Sequence, residues 1–199
     1  LTMILSGMIP YYLTNSIDSF SNIFFETMSG YTATGSTILD DVEALPKSII
    51  FWRSMTHWLG GMGIIVLAIA ILPLLGLGGM QLFSAEVPGS GISGDKIHPR
   101  ISATAKRLWL IYFGLTILET IALSIAGMSF FDALNHSMSN IATGGFSTKN
   151  ESLAYWNSIP SVQYIVIFFM ILAGTNYLLI YSAIIGNFKK LFTNTEFLW

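Results

Sequence analysis

Two short runs of small and hydroxyl-bearing residues are the part of this sequence best suited to chemistry. One is Thr32-Ala33-Thr34-Gly35-Ser36-Thr37, the other Ala142-Thr143-Gly144-Gly145-Phe146-Ser147-Thr148. Sliding the chain by 109 positions lays Ala33-Thr34-Gly35 on Ala142-Thr143-Gly144. Glycine opens backbone angles closed to other residues, so consecutive carbonyls can turn toward one axis. Thr and Ala are small enough to let several such loops converge. Rings of carbonyl oxygens can replace the hydration shell of a cation, and ion selectivity lives in that replacement. A single Thr-Gly could merely close a hairpin. Two copies at matching positions point to a repeated cation site.

Each run follows a short apolar stretch, SFSNIFFETMSGY over 19–31 and FDALNHSMSNI over 131–141. These have about half of the roughly 20 residues that a spanning helix needs. Asp18 or Ser19 can cap the first, and Asp132 can sit in the first turn of the second. A half-length helix at membrane depth must be buried in protein or line a wet cavity. Its C-terminal, negative dipole end would point at the loop, where a cation gains from it.

The surroundings of these elements are those of a membrane. Of 199 residues, 53% are apolar and 10% charged, against roughly 25% charged in soluble domains. No Asp, Glu, Lys or Arg occurs from Trp58 to Ala85 or from Ser152 to Phe188, and Leu108 to Phe131 holds only Glu119. Each stretch is long enough to cross a bilayer. Leu1 to Leu13 is apolar but too short, and it opens with neither a basic n-region nor an initiator Met, the expectation being an outer helix cut from a longer protein. Lys96, Arg100, Lys106, Arg107, Lys189 and Lys190 lie on one side of these spans. Asp40, Asp41, Glu43 and Glu151, with Lys47 and Lys149, lie on the other. The positive-inside rule puts the basic side in the cytoplasm. Trp52, Trp58, Trp109 and Trp156 fall near span ends, where indole favours the interface. The net charge of -2 offers nothing to nucleic acid, and the absence of Cys removes disulfides and thiolate chemistry.

The fold class expected is all-α integral membrane, with tandem helix–pore loop–helix repeats. Residues 1–83 form a first repeat, with a truncated outer helix, half-helix 19–31, loop 32–37 and inner helix 49–83. Residues 84–106 make a cytoplasmic connection. Residues 107–190 form a second repeat, with outer helix 107–128, half-helix 131–141, loop 142–148 and inner helix 158–188. Residues 191–199 begin the next repeat in the cytoplasm. The two copies share one direction in the membrane, since two complete spans separate them. That differs from the inverted repeats common among secondary transporters of organic substrates.

Other polar residues carry two readings each. Glu26 in the first half-helix could attract cations, or it could form a buried pair with Arg53 that braces the loop, and the pair is favoured because lone intramembrane charges are costly. Glu119 has no evident partner in its own helix and could face another repeat. His57 and His136 fit hydrogen-bonding scaffold better than proton relays or ligands. Asn176, within Gly174-Thr175-Asn176-Tyr177, marks a helix break that serves either the pore or packing. Gly60-Gly61-Met62-Gly63 and Gly76-Leu77-Gly78-Gly79 permit close helix approach. An intramembrane enzyme built on His57, His136, Glu26 or serines is the weaker alternative, because neither G-x-S-x-G nor H-E-x-x-H occurs.

The segment from FFETMSGYTATGSTILDD through LGGMGIIVLA and LGLGGMQL resembles the first pore repeat of the Trk/Ktr potassium uptake family, in its TrkH-type membrane subunit. FDALNHSMSNIATGGFST and the LAGTNY helix resemble the second. That family has four such repeats in one polypeptide, related to the subunits of tetrameric potassium channels. The resemblance implies a membrane subunit of a potassium uptake system in the bacterial inner membrane, with the loops facing outside. It implies K+ as the transported ion, held by backbone carbonyls of Ala33, Thr34, Gly35, Ala142, Thr143 and Gly144. No organic cofactor and no enzymatic activity are expected. It further implies a homodimer of membrane subunits and a cytosolic nucleotide-binding regulatory ring. Ion coupling, as uniport or as symport with sodium or protons, stays open. Potassium channels often carry Thr two positions before the first filter Gly, whereas Ala33 and Ala142 stand there on this alignment. Only main-chain oxygens then remain at that level, which is compatible with a less selective K+/Na+ transporter.

Overall fold

Several hydroxyls inside the apolar helices are satisfied within their own helix. The hydroxyls of Thr27, Thr116, Thr120 and Ser137 donate back to the carbonyls of Ile23, Tyr112, Thr116 and Ala133, four residues earlier, at 2.7–2.9 Å. Such bonds satisfy these donors without a second helix.

The computed structural model describes residues 2–71 and 97–184. Its α-helices are α1 (Thr2–Leu13), α2 (Phe20–Tyr31), α3 (Lys47–Ile71), α4 (Ile97–Ile125), α5 (Phe130–Ile141), α6 (Pro160–Gly174) and α7 (Tyr177–Ile184), with a 3₁₀ turn at Ser152–Trp156. Residues 72–83 of the expected inner helix, 84–96 of the connection, the glycines of 76–79, Lys96, Lys189, Lys190 and the segment 191–199 lie outside the described residues. Among the described residues, Ala105–Ile125 is long and apolar enough to cross a bilayer by length and composition.

One boundary differs from expectation. Helix α4 begins at Ile97, ten residues before the outer helix expected from 107, so part of the supposed connection is helical. Pro99 falls in its first turn, where a missing N–H costs no helical bond. The second inner helix is divided at the break expected around Asn176. Helix α6 stops at Gly174, Thr175 is extended (φ -83°, ψ 149°), and α7 restarts at Tyr177. The Asn176 carbonyl accepts the Leu179 N–H at 2.9 Å, which opens the new helix.

Helix α3 organises the rest. It packs against α2 of its own repeat and equally against α5 of the next, so one inner helix touches both half-helices. The approach to α2 is close: a Cβ on Gly60 would overlap the Tyr31 carbonyl, and one on Gly30 would overlap the Thr56 hydroxyl. On its other side, α3 meets α4. Trp58 Nε1 donates to Thr116 Oγ1 (3.1 Å), and Tyr112 Oη donates to the Trp58 carbonyl (3.0 Å). Trp52 likewise donates to the Gly7 carbonyl at 3.0 Å, and Trp156 is buried with Leu123, Met128 and Val162. Trp52, Trp58 and Trp156 therefore join elements within the protein.

Candidate ion-conduction site

Both half-helices end in the same hydrogen-bonded cap. After α2, the Ala33 N–H donates to the Gly30 carbonyl (3.0 Å) and the Thr34 N–H to the Ser29 carbonyl (3.0 Å). After α5, the Thr143 N–H donates to Asn140 (2.8 Å) and the Gly144 N–H to Ser139 (2.9 Å). This is a Schellman arrangement, in which the residue past the cap is left-handed. That residue is usually Gly, but here it is Ala33 (φ 51°) and Thr143 (φ 56°). Each costs on the order of 1–2 kcal/mol relative to a right-handed residue. A second left-handed residue follows two positions later, Gly35 (φ 78°) and Gly145 (φ 91°).

The consequence for the carbonyls is geometric. A peptide unit is planar, and its N–H and C=O point in opposite directions. Turning the N–H groups of Ala33 and Thr34 back onto α2 turns the carbonyls of Thr32 and Ala33 away from it. The same holds for Ala142 and Thr143 beyond α5. Each loop thus presents oxygens, and not donors, beyond the negative end of a half-helix dipole.

The caps also reset the register. Helix ends at Tyr31 and Ile141, left-handed residues at Ala33 and Thr143, and glycines at Gly35 and Gly145 are all separated by 110 positions. The sequence match of Ala-Thr-Gly triplets at 109 is therefore off by one. In backbone terms Ala33 corresponds to Thr143, Thr34 to Gly144, and Gly35 to Gly145. The position two before the second glycine is thus Thr143, with a hydroxyl, and not Ala142. One residue of chemical identity misled the alignment, because hydrogen bonding to the half-helix, not side-chain type, places the loop.

Side chains hold each loop against its half-helix in the same register. In the first repeat Glu26 is fully buried, and its carboxylate accepts the Thr37 hydroxyl (2.9 and 3.1 Å), the Ile38 N–H (3.2 Å) and Arg53 Nε (2.8 Å). In the second, His136 and Ser147 occupy the corresponding places, with Nε2 and Oγ 3.0 Å apart. His136 Nδ1 is 2.8 Å from the Asp132 carbonyl. Glu26 therefore braces the loop and offers no free charge to an ion. Ser129 caps α5 by accepting the Asp132 N–H, whereas Ser19 stands at the start of α2 without a side-chain cap bond. Asp132 itself accepts the hydroxyls of Ser129 and Thr148, each at 2.7 Å.

Arg53 joins the two repeats. Besides Glu26, its guanidinium donates to Thr37 Oγ1 (3.1 Å) and to the Ser147 carbonyl (3.5 Å), and lies 4.1 Å from the Phe146 ring centre. The loops meet directly: a Cβ on Gly35 would overlap the Gly144 carbonyl oxygen. Farther out, the Val42 N–H donates to Asn150 Oδ1 (2.7 Å), Asn150 Nδ2 to Asp41 (2.8 Å), and Lys149 to Glu43 (2.6 Å). The Asn150 bond holds the Asp41 carboxyl below its usual range, and the Lys149 bond does so for Glu43. Glu119, expected to face another repeat, is instead fully buried within its own, and Asn140 Nδ2 donates to it at 2.6 Å. No sequence motif joins Glu119 to Asn140; spacing across two helices concealed the pair.

The profile of the TrkH family, described as a cation transport protein, matches residues 2–197. The chain belongs to the TrkH family. It is 48% identical over 187 residues to the Trk system potassium uptake protein TrkH of Salmonella typhimurium, covering 94% of this chain and 38% of that protein. It is 40% identical over 176 residues to the Trk system potassium uptake protein TrkG of Escherichia coli, covering 88% and 36%. The crystal structure of the potassium transporter TrkH from Vibrio parahaemolyticus superposes with a TM-score of 0.83 at 39% identity, covering 98% of this chain and 39% of that one. The chain thus spans about two fifths of the length of these relatives. Its fold is that of TrkH, an all-α membrane protein related to the potassium channel superfamily.

Proposed function

We propose that this chain supplies two of the loops through which a potassium uptake protein of the TrkH family conducts K+. The observation that carries the reading is the paired Schellman cap, which aims carbonyls away from both half-helices at the same register. Dehydrated K+ is held by such oxygens, and selectivity depends on their number and spacing. The carbonyls of Ala33, Thr34 and Gly35, and of Ala142, Thr143 and Gly144, are the ligands proposed. The 110-residue register adds Gly145 as the partner of Gly35. Relatives at 40–48% identity are named for potassium uptake, which supports K+ as the ion.

The same resemblance supports further parts of the proposal. The protein sits in the bacterial inner membrane with these loops outside, acts as a homodimer, and is regulated by a cytosolic nucleotide-binding ring. Transport is the whole activity proposed, coupled or uncoupled to another ion.

Rubidium and sodium uptake by the full-length protein, in cells lacking their own potassium uptake, tests the reading. Rubidium uptake that potassium competes away and sodium does not is the expected result. Gly35→Ala should lower that preference at matched expression. An unchanged preference in both Gly35→Ala and Gly145→Ala would remove the loops from the ion path.

A further inference from the structure

His57 belongs to the first repeat, yet its ring stacks and hydrogen-bonds with the second. It lies on α3, one turn after Arg53, and is fully buried. Its ring stacks on Phe146 at 3.9 Å with planes 13° apart. Its Nδ1 is 2.9 Å from Ser139 Oγ, and Ser139 is the residue whose carbonyl accepts the Gly144 N–H. A Cβ on Gly144 would overlap the His57 ring at Nδ1, Cε1 and Cγ. The carbonyl oxygen of the same Gly144 lies against Gly35 of the first loop. The Gly144 residue is therefore held between an imidazole and the opposing loop. The buried Nε2 has no hydrogen-bond partner among the described residues, so hydrogen bonding through that atom does not explain why a histidine is placed here.

We propose that His57 is a positioning residue for the second loop: an inner-helix side chain of one repeat that sets where the next repeat's carbonyls stand. Ion selectivity is then determined across the seam between repeats and not within one loop. The physical argument is that packed interiors transmit small displacements, and that carbonyl spacing governs how well ion dehydration is compensated. The seam is asymmetric. The ring's contacts are a flat stack, one hydrogen bond and a glycine that no larger residue could replace, so a change at His57 has no slack to absorb it. The inference rests on the reading of the loops as the ion path.

The test uses the full-length protein reconstituted into liposomes, with rubidium uptake measured against sodium competition. His57→Gln removes the stack, Phe146→Leu removes its other half, and the double variant removes both. Each single change is expected to shift the potassium-over-sodium preference by about tenfold, or about 1.4 kcal/mol. The double variant should shift it by less than the sum of the single changes, because both remove the same stack, although Phe146→Leu also removes the Arg53 contact. A preference equal to the parent's in either single variant, or additive shifts in the double, overturns the proposal. If the ring variants fail to reach the membrane, Ser139→Ala deletes only the hydrogen bond. A smaller shift in the same direction then supports the proposal, and none overturns it. Gly35→Ala separates the two ideas. If it alters the preference while the His57 and Phe146 variants do not, only the seam proposal fails. If it and Gly145→Ala also leave the preference intact, the loops are not the ion path.

Discussion

Glu26→Gln exchanges a charged oxygen for an amide at nearly constant volume, and so isolates what charge contributes behind the first loop. In the native protein both members of the pair are buried, with side-chain exposures of 2% for Arg53 and 0% for Glu26. The variant leaves the guanidinium in place without its counter-charge, a loss of about 3–5 kcal/mol for a buried pair broken on one side. Arg53→Met should cost more. It strands the carboxylate with only Thr37 and Ile38 as donors, and it also removes the contact with Phe146, worth about 2 kcal/mol when desolvated. In the double variant neither charge remains, and its loss should fall short of the sum by about 2–3 kcal/mol, the upper range for groups in one network. The measurement is unfolding of the full-length protein by SDS in mild micelles, followed by Trp fluorescence. Additive losses would refute the reasoning. So would Glu26→Gln within about 0.5 kcal/mol of the parent, the range of an inconsequential surface change.

Thr143→Gly should relieve the left-handed residue after α5 and raise stability by about 1 kcal/mol, while potassium preference falls as the loop loses its fixed position; SDS unfolding and tracer uptake read the two effects. Gly35→Ala should be more damaging to uptake than Gly145→Ala, because a Cβ at Gly35 meets the Gly144 carbonyl whereas none of the described atoms lies within 4 Å at Gly145. Glu119→Leu should cost about 1–3 kcal/mol by leaving Asn140 Nδ2 with only the Val166 carbonyl as acceptor, and Glu119→Gln less, as judged by the same unfolding assay. Asn150→Leu should destabilise the outer loops at neutral pH. Asp41 and Glu43 have depressed folded pKa values, so the stability they contribute is present above the ordinary carboxylate range and is lost as pH falls through the folded values. The gap between Asn150→Leu and the parent should therefore narrow in acid, measured as unfolding midpoint against pH.

Composition and order alone determined the solvent and the plan of this protein. Runs without charge longer than a bilayer, two half-length apolar stretches and two Thr-Gly loops are local features, and local chemistry fixes them. The break at Thr175-Asn176 and the short helices before each loop were legible for the same reason. The register of the loops was not, because matching Ala-Thr-Gly by identity gives 109, while the N–H groups of Ala33 and Thr143 returning to Gly30 and Asn140 give 110. Nor could the sequence join Glu119 to Asn140, His57 to Phe146, or Arg53 to the Ser147 carbonyl. These partners are 21, 89 and 94 positions apart, and no periodicity links them. The packing of α4 against α5 brings the first pair within reach, and that of α3 against the second repeat brings the other two, since contact across a helix seam depends on crossing geometry and not on neighbouring residues.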